Sequence, residues 1–330
     1  MKHERKRNSV IVSIFRKTVQ AVGKIGRIIR SHLRRSALEV MSFLLDRDAL
    51  FRVIGFFNRR FGFLKTVFLL YPANLRYAHA YVYERRRKRM FWGPEFVGLF
   101  RQKNCKIGLV FGISSDEKMI KDPKNTENLL RVFDRMEDIR VMLGAERKSF
   151  AGILPSIFRS RGFPHDFCEA EVTVLAVKKA IEAVRKTEGM GTGVPTVVLG
   201  GRGLIGSQVV KSLSDTPVFV LDSAGSEDER RWPDGLGQDR VLLVNIASVR
   251  ALESQVKMLH PAAVILNEAY PEPPKALIEK IREIGCPIYH IAGVLADWVL
   301  PNFSGAYREA IPCCAAWLNE DMEVSVIRLV

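Results

Sequence analysis

The sequence predicts a two-lobed α/β protein. A smaller N-terminal α/β lobe, preceded by a basic helical segment, is followed by a Rossmann-type doubly wound parallel sheet. Short apolar runs alternate with amphipathic helical patterns beyond residue 100, a glycine-rich turn follows one of these runs, and the positive charge is concentrated near the N-terminus. With 330 residues, 47% of them hydrophobic, the chain can bury two cores, which excludes disordered and collagen-like classes.

Residues 1–100 predict a basic, aromatic and mainly helical segment. They hold 22 lysines and arginines against six acidic residues, while the whole chain carries +15. Apolar residues at three- and four-residue steps over residues 9–35 predict a basic amphipathic helix. Such a helix either lies in a membrane interface or packs on its own domain. We expect residues 1–35 and 51–92 to contact an anionic membrane surface or an acidic partner.

Other partners and sites are disfavoured. The aromatic and basic stretch 51–92 contains no recognised nucleic-acid module. The five cysteines show no C-x-x-C spacing, which indicates free thiols and no metal site. No run reaches the ~18–20 apolar residues that a membrane span requires. The sequence therefore predicts a cytoplasmic protein with, at most, peripheral membrane association.

Residues 101–190 predict a substrate-side α/β lobe with a connecting helix. Apolar runs predict its strands, helical periodicity predicts its helices, and a glycine-rich linker over Gly189–Pro195 closes it. In chain order, we expect a strand at Lys106–Gly112, a helix at Glu127–Leu143, a strand at Phe150–Leu154 and a helix at Glu169–Lys186.

Residues 191–330 predict a dinucleotide-binding domain, because strands and helices alternate regularly. The first strand, Thr196–Leu199, leads into a glycine-rich turn and a helix through Leu213. Further strands are expected at Val218–Leu221, Val241–Asn245, Ala263–Leu266 and Ile288–Ile291, with helices at Ser248–Leu259 and Pro274–Ile284.

The glycine-rich turn has the pattern G-x-G-x-x-G and predicts a nicotinamide cofactor. Its six positions are Gly201, Arg202, Gly203, Leu204, Ile205 and Gly206. We expect Gly201 to permit the tight turn, Gly203 to admit the pyrophosphate and Gly206 to let the helix pack on its strand.

Asp222 follows the second strand, 21 residues beyond Gly201, where a ribose-binding carboxylate is expected. Its charge would repel a 2′-phosphate and favours NAD(H). NADP(H) remains the alternative, because Arg202 or Arg230 could pair with a 2′-phosphate.

Five stretches resemble the cyanobacterial long-chain acyl-[acyl-carrier-protein] reductases. Together they extend from about residue 105 to the C-terminus. They are Arg131–Phe158, Gly200–Leu213, Ala263–Leu277, Ile288–Trp298 and Ala310–Leu318. The resemblance implies reduction of a long-chain acyl thioester, carried by acyl carrier protein or coenzyme A, to an aldehyde.

The resemblance also implies that Cys313 is the nucleophile, on a C-terminal helix. Cys313 follows Pro312 near a predicted helix start, where a thiol pKa is lowered, and Cys314 is a rival. His290, at the end of a strand, is a candidate proton donor or oxyanion stabiliser. Both residues could instead be inert core side chains.

Two other functions remain open. One is a dehydrogenase of a small polar metabolite with a shikimate-dehydrogenase-like layout. The other is a non-catalytic NAD(H)-binding protein associated with membranes.

Overall fold

The computed structural model describes most of the chain beyond residue 38. The described residues are 29, 32, 33, 35–37, 39–72, 74, 75, 78, 79, 82–102, 106–166, 168–222, 231–233, 235–237, 239–300, 309–319 and 321–330. Most of the helix predicted over residues 9–35 therefore lies outside them, as do Arg230 and Cys105.

The fold is α/β, as the sequence predicts, and its helices flank one large sheet. Residues 39–45 are helical, and the further helices of the N-terminal half include α1 Asp48–Phe61, α2 Glu84–Arg89, α3 Glu117–Lys121, α4 Thr126–Leu143 and α5 Leu154–Ser160. Helix α6, Cys168–Thr187, leads to the C-terminal half. There follow α7 Gly206–Ser212, α8 Val249–Gln255 and α9 Lys275–Ile284.

Among the described residues, eleven strands form the sheet. They are β1 Leu64–Leu70, β2 Glu95–Gln102, β3 Ile107–Gly112, β4 Arg147–Phe150, β5 Thr196–Leu199, β6 Val218–Leu221, β7 Val241–Asn245, β8 Ala263–Asn267, β9 Ile288–Leu300, β10 Ala310–Ile311 and β11 Val324–Arg328. Their order is β4-β1-β3-β2-β9-β8-β7-β5-β6, and β10 and β11 both pair with β9.

The long strand β9 joins two half-sheets. Its first residues pair in parallel with β8, and Ala296–Leu300 pair antiparallel with β2. Because β2 is also antiparallel to β3, the strands β3 and β9 point the same way. The carboxyl ends of the parallel strands therefore lie along one edge of the whole sheet. In the C-terminal half, β5 lies between β6 and β7, so the strand order reverses there and a ligand crevice is expected at that point.

The periodicity correctly predicted β3, α4, α6, β5 to β8 and the first residues of β9, but it missed the rest of β9 and the strands β10 and β11. The strand expected at Phe150–Leu154 is wrong, since β4 covers Arg147–Phe150 and α5 begins at Leu154. Pro155 occupies the first turn of α5, where proline is well tolerated because the first helical N–H groups have no partner within the helix.

The basic segment is part of the sheet. Strands β1 and β2 come from residues 64–102, so the expected boundary at residue 100 falls inside β2. The stretch 51–92 is also not uniformly on the surface, because β1 is almost wholly buried. Within α2, the side chain of Arg86 is 1% exposed and its Nε donates to Glu95 Oε2 at 2.9 Å.

No helix among the described residues has the length and apolar character required to cross a bilayer.

Candidate functional site

A cavity of about 1420 Å³ opens at the carboxyl edge of the sheet and has walls from both half-sheets. Its C-terminal wall includes the glycine-rich turn and the polar side chains of Asp222, Ser248, Arg250 and Ser254. Its N-terminal wall is mainly apolar, with Phe68, Leu70, Val82, Met90, Val97, Ile113 and Trp298. The volume exceeds the few hundred to about 1,000 Å³ of usual ligand sites and gives room for two ligands.

The glycine-rich turn connects β5 to α7 and is closely packed. Gly201 was expected to permit the tight turn, but the residue with positive φ is Gly200, just before the motif, at +89°. A Cβ on Gly201 would instead lie 2.8 Å from Val220 Cγ1 of β6. A Cβ on Gly206 would lie 2.1 Å from the Gly200 oxygen, so α7 can begin here only with glycine. Gly206 was expected to let the helix pack on its strand, but its close contact is with Gly200 and Gly201 of the turn itself.

The middle of the turn lies along the cavity. Gly203, Leu204 and Ile205 all line it. Within the part of the chain that the structure describes, a Cβ on Gly203 would meet only the Gly200 oxygen, at 3.3 Å, so the space beside it is comparatively open. Gly203 lacks the close packing contacts of Gly201 and Gly206, so a ligand can approach its backbone.

Asp222 lies at the end of β6 and also lines the cavity. Its Oδ2 accepts a hydrogen bond from the backbone N–H of Arg202 at 3.0 Å. The carboxylate therefore holds the turn in place from the neighbouring strand end.

A chain of buried hydrogen bonds leads to His290. Asn245 donates through Nδ2 to Asn267 Oδ1 at 2.7 Å, and both residues end their strands. His290 Nδ1 lies 2.9 Å from Asn267 Nδ2 and 3.0 Å from the Asn267 backbone oxygen. Nδ1 therefore has a partner in either neutral tautomer, because it can accept from the amide or donate to the backbone oxygen. Burial lowers the pKa of His290, which keeps the ring neutral.

Glu268 follows β8 in the same wall. Its backbone N–H donates to the Asn245 oxygen at 2.9 Å. The carboxyl is deeply enclosed by protein, and its accessible surface borders the cavity. Burial raises the pKa of Glu268 to about 7.

The structure corrects two expectations about Cys313. The predicted C-terminal helix is a three-residue 3-10 turn, Cys313–Ala315, preceded by the short strand β10. Burial raises the pKa of the Cys313 thiol well above its ordinary value, and Glu268 and Cys314 raise it further. The expectation of a lowered pKa for Cys313 is wrong, because no long helix begins at this residue and the nearby charge, on Glu268, is negative. Burial also raises the pKa of the Cys314 thiol, to about 12.

The cavity thus brings together Asp222, His290, Cys313 and the residues of the turn that face it. Sequence reasoning missed Asn245, Asn267 and Glu268. A signal was present, since all three are polar residues at or just beyond the ends of predicted buried strands, where ligands bind in such sheets.

One residue trio has the spacing of metal ligands, although the sequence predicts no metal site. Atoms of His165, Asp166 and Glu169 lie within 4.8 Å of one another. His165 Nε2 lies 2.8 Å from Glu169 Oε1, which also accepts from the Phe150 N–H at 2.8 Å. These bonds give the group a structural role, tying the start of α6 to β4.

Comparison with known proteins gives no family. No protein-family model matches the chain, and no curated protein does. The solved structure of L-tryptophan dehydrogenase from Nostoc punctiforme has 15% identity and a TM-score of 0.34, covering 68% of this chain and 69% of that one.

Two further structures are also distant. The TT0316 protein from Thermus thermophilus has 13% identity and a TM-score of 0.27, over 67% of this chain and 79% of that one. The PH0520 protein from Pyrococcus horikoshii has the same identity and TM-score, over 68% and 78%. Scores this low carry no argument about activity.

Proposed function

We propose that the protein is an NAD(H)-dependent oxidoreductase that reduces a long-chain acyl thioester to an aldehyde. One observation carries the proposal. A single cavity is bordered by a G-x-G-x-x-G turn, by two cysteines and by a long apolar wall. Between the turn and the apolar wall in sheet order lie β8 and β9. Glu268 directly follows β8, and His290 is the third residue of β9, level with the end of β8 rather than at the end of its own strand as expected.

The turn fits a dinucleotide. Gly203, Leu204 and Ile205 would receive the pyrophosphate, and Asp222 would accept hydrogen bonds from the adenosine ribose. The contacts at Gly200 and Gly206 fix the turn before any ligand binds. The bound nicotinamide would supply the hydride that converts the acyl group to an aldehyde. The charge of Asp222 favours NAD(H), with NADP(H) as the alternative.

Cys313 is the proposed acyl acceptor. Its raised pKa means that the thiol needs a base, since only the thiolate attacks efficiently. The neighbouring Glu268 carboxylate takes that proton as sulfur attacks the acyl carbon. The bond to the carrier sulfur then breaks, and the proton passes to this leaving thiolate. In this step one thioester replaces another. The hydride would then reach the acyl carbon, the bond between that carbon and the Cys313 sulfur would break to release the aldehyde, and the Cys313 thiolate would take a proton from solvent.

His290 is the proposed partner of the acyl oxygen. Its neutral ring can accept from the Asn267 amide at Nδ1 and carry its proton on Nε2. That N–H would donate to the developing oxyanion. The apolar wall would hold the acyl chain, and acyl carrier protein or coenzyme A would present it.

The test is NADH oxidation by the purified protein with a palmitoyl thioester, with detection of the aldehyde. Without NADH, palmitoyl-coenzyme A should add one acyl mass to a peptide containing Cys313. Cys313→Ser should lose the adduct and the aldehyde but still bind NADH. Cys314→Ser serves as the matched control and should retain both.

Three outcomes would contradict the proposal. If the adduct survives in Cys313→Ser and vanishes in Cys314→Ser, the neighbouring thiol is the nucleophile. If NADH is consumed with a small polar substrate and no cysteine is acylated, the small-metabolite dehydrogenase takes its place. If neither NADH nor NADPH binds, the cofactor assignment is wrong.

A further inference from the structure

Two helical stretches near the N-terminus expose large apolar side chains. Phe43 is 68% exposed in the helical residues 39–45, and Phe56 and Phe61 are 68% and 71% exposed in α1. Val53, Phe56 and Phe57 follow helical spacing and share one side of α1. We call the exposed set on α1 the N-terminal apolar face; it consists of Val53, Phe56, Phe57 and Phe61. Val40, Phe43 and Leu44 are exposed on the helical residues that precede it.

The opposite side of α1 is firmly anchored. Phe51, Gly55 and Asn58 are buried. Asn58 Nδ2 donates to the backbone oxygens of Leu143 and Gly144, at 3.1 and 2.7 Å, at the end of α4. The outward orientation of the apolar side chains is therefore set by the core.

Cations are interleaved with the apolar side chains. Arg52, Arg59 and Arg60 are exposed on α1. Arg47 lies 5.2 Å from the Phe43 ring centre, and Arg60 lies 5.9 Å from that of Phe61. The acidic residue in the first turn of α1, Asp48, is paired with Arg135 at 2.6 Å, so it does not cancel the charge of the face. The surface combines apolar rings with net positive charge.

We propose that the N-terminal apolar face docks on an anionic lipid bilayer. Its rings would enter the boundary between headgroups and acyl chains, while the arginines meet lipid phosphates and carboxylates. Charge argues for this occupant. Residues 1–28 carry eight lysines and arginines and one glutamate. The arginines of α1 would therefore repel this segment if it folded over the apolar face. A second copy of the chain would bring the same arginines to the contact.

The experiment is co-sedimentation of the full chain with vesicles. We expect binding to vesicles of equal parts phosphatidylcholine and phosphatidylserine, weak binding to pure phosphatidylcholine, and release by salt. Phe56→Ser combined with Phe57→Ser should lower the partition coefficient by about tenfold or more. Arg59→Glu combined with Arg60→Glu should lower it on the order of tenfold.

The matched control changes an exposed basic–apolar pair elsewhere. Lys257→Glu combined with Met258→Ser should leave vesicle binding unchanged. Unaltered circular dichroism would show that all variants fold. The proposal is overturned if the phenylalanine and arginine variants sediment as well as the wild type. It is also overturned if the free protein is a dimer that those variants dissociate, or if vesicle binding appears only after residues 1–28 are deleted.

Discussion

Among single residues, Glu268 has an environment suited to proton transfer. A carboxyl group with a pKa of about 7 is half ionised near neutral pH, whereas an exposed glutamate is fully ionised there. Such a group can receive a proton from a thiol and return it within one catalytic cycle. It directly follows Asn267 at the end of β8 and lines the same cavity as Cys313, whose pKa it helps to raise.

Glu268→Gln should slow acylation of Cys313 by palmitoyl-coenzyme A by roughly 10²–10⁴-fold, because an amide cannot take the thiol proton. In the wild type, the acylation rate should rise as pH passes through about 7, since the carboxylate is the active form. That rise should be absent from the variant. Stopped-flow mass spectrometry without NADH measures both effects.

Glu279→Gln is the control for this change, because Glu279 lies exposed on α9. It should keep the wild-type rate and pH profile. An unchanged pH profile in Glu268→Gln would remove Glu268 from the proposed proton transfer, even if the overall rate fell.

Asp222→Asn should narrow the preference for NADH over NADPH. The amide oxygen can still accept from the Arg202 N–H, so the turn keeps its anchor, but the charge that repels a 2′-phosphate is lost. We expect the ratio of dissociation constants, measured by calorimetry, to fall by about tenfold. Tighter binding of NADPH than NADH by the wild type would contradict the role given to Asp222.

Among the helices, α1 and α4 approach unusually closely. A Cβ on Gly55 would lie 1.9 Å from the Met142 backbone oxygen, an overlap that no side-chain rotation relieves. The contact joins the helix that bears the N-terminal apolar face to the core of the N-terminal half-sheet. The glycine is required by the neighbouring helix rather than by its own conformation.

Gly55→Ala should therefore destabilise the protein by about 2 kcal/mol, because the two helices must separate. Thermal and urea unfolding measure this loss. Gly191→Ala is a suitable control, since nothing lies within 4 Å of its added Cβ, and its unfolding free energy should not fall. If the two variants were equally stable, the inference that α1 and α4 leave no room for a side chain at Gly55 would be wrong.

In the molecule as a whole, the two half-sheets share their carboxyl edge because β2 runs against both β3 and β9. The polar wall then belongs to the C-terminal half and most of the apolar wall to the N-terminal half. In the proposed reaction, the nucleotide and the acyl chain would share one cavity because of this arrangement.

The affinity for acyl-coenzyme A substrates should consequently rise with chain length. Each buried CH₂ contributes about 0.8 kcal/mol, so two added carbons should lower the dissociation constant by roughly tenfold until the apolar wall is filled. Calorimetry from acetyl to palmitoyl measures the trend, and NADH affinity in the absence of substrate is the reference. A flat series would indicate that the acyl chain lies outside the cavity.

The sequence by itself determined β5 to β8, the start of β9, the glycine-rich turn and the position of Asp222. These features depend on patterns within a few residues, such as an apolar run, a helical period or a glycine between strand and helix. The same local patterns indicated the basic, aromatic character of residues 51–92. They did not reveal that β1 and Arg86 are buried within that stretch.

Only the tertiary structure decided what the candidate catalytic residues can do. The shifts in the pKa values of Glu268, His290 and Cys313 follow mainly from burial in the folded protein. The His290 ring contacts Asn267, which lies 23 residues earlier at the end of β8. The union of the half-sheets likewise rests on pairs such as Phe100 with Trp298. Local sequence patterns cannot encode these features, because desolvation and strand pairing depend on which distant segments meet.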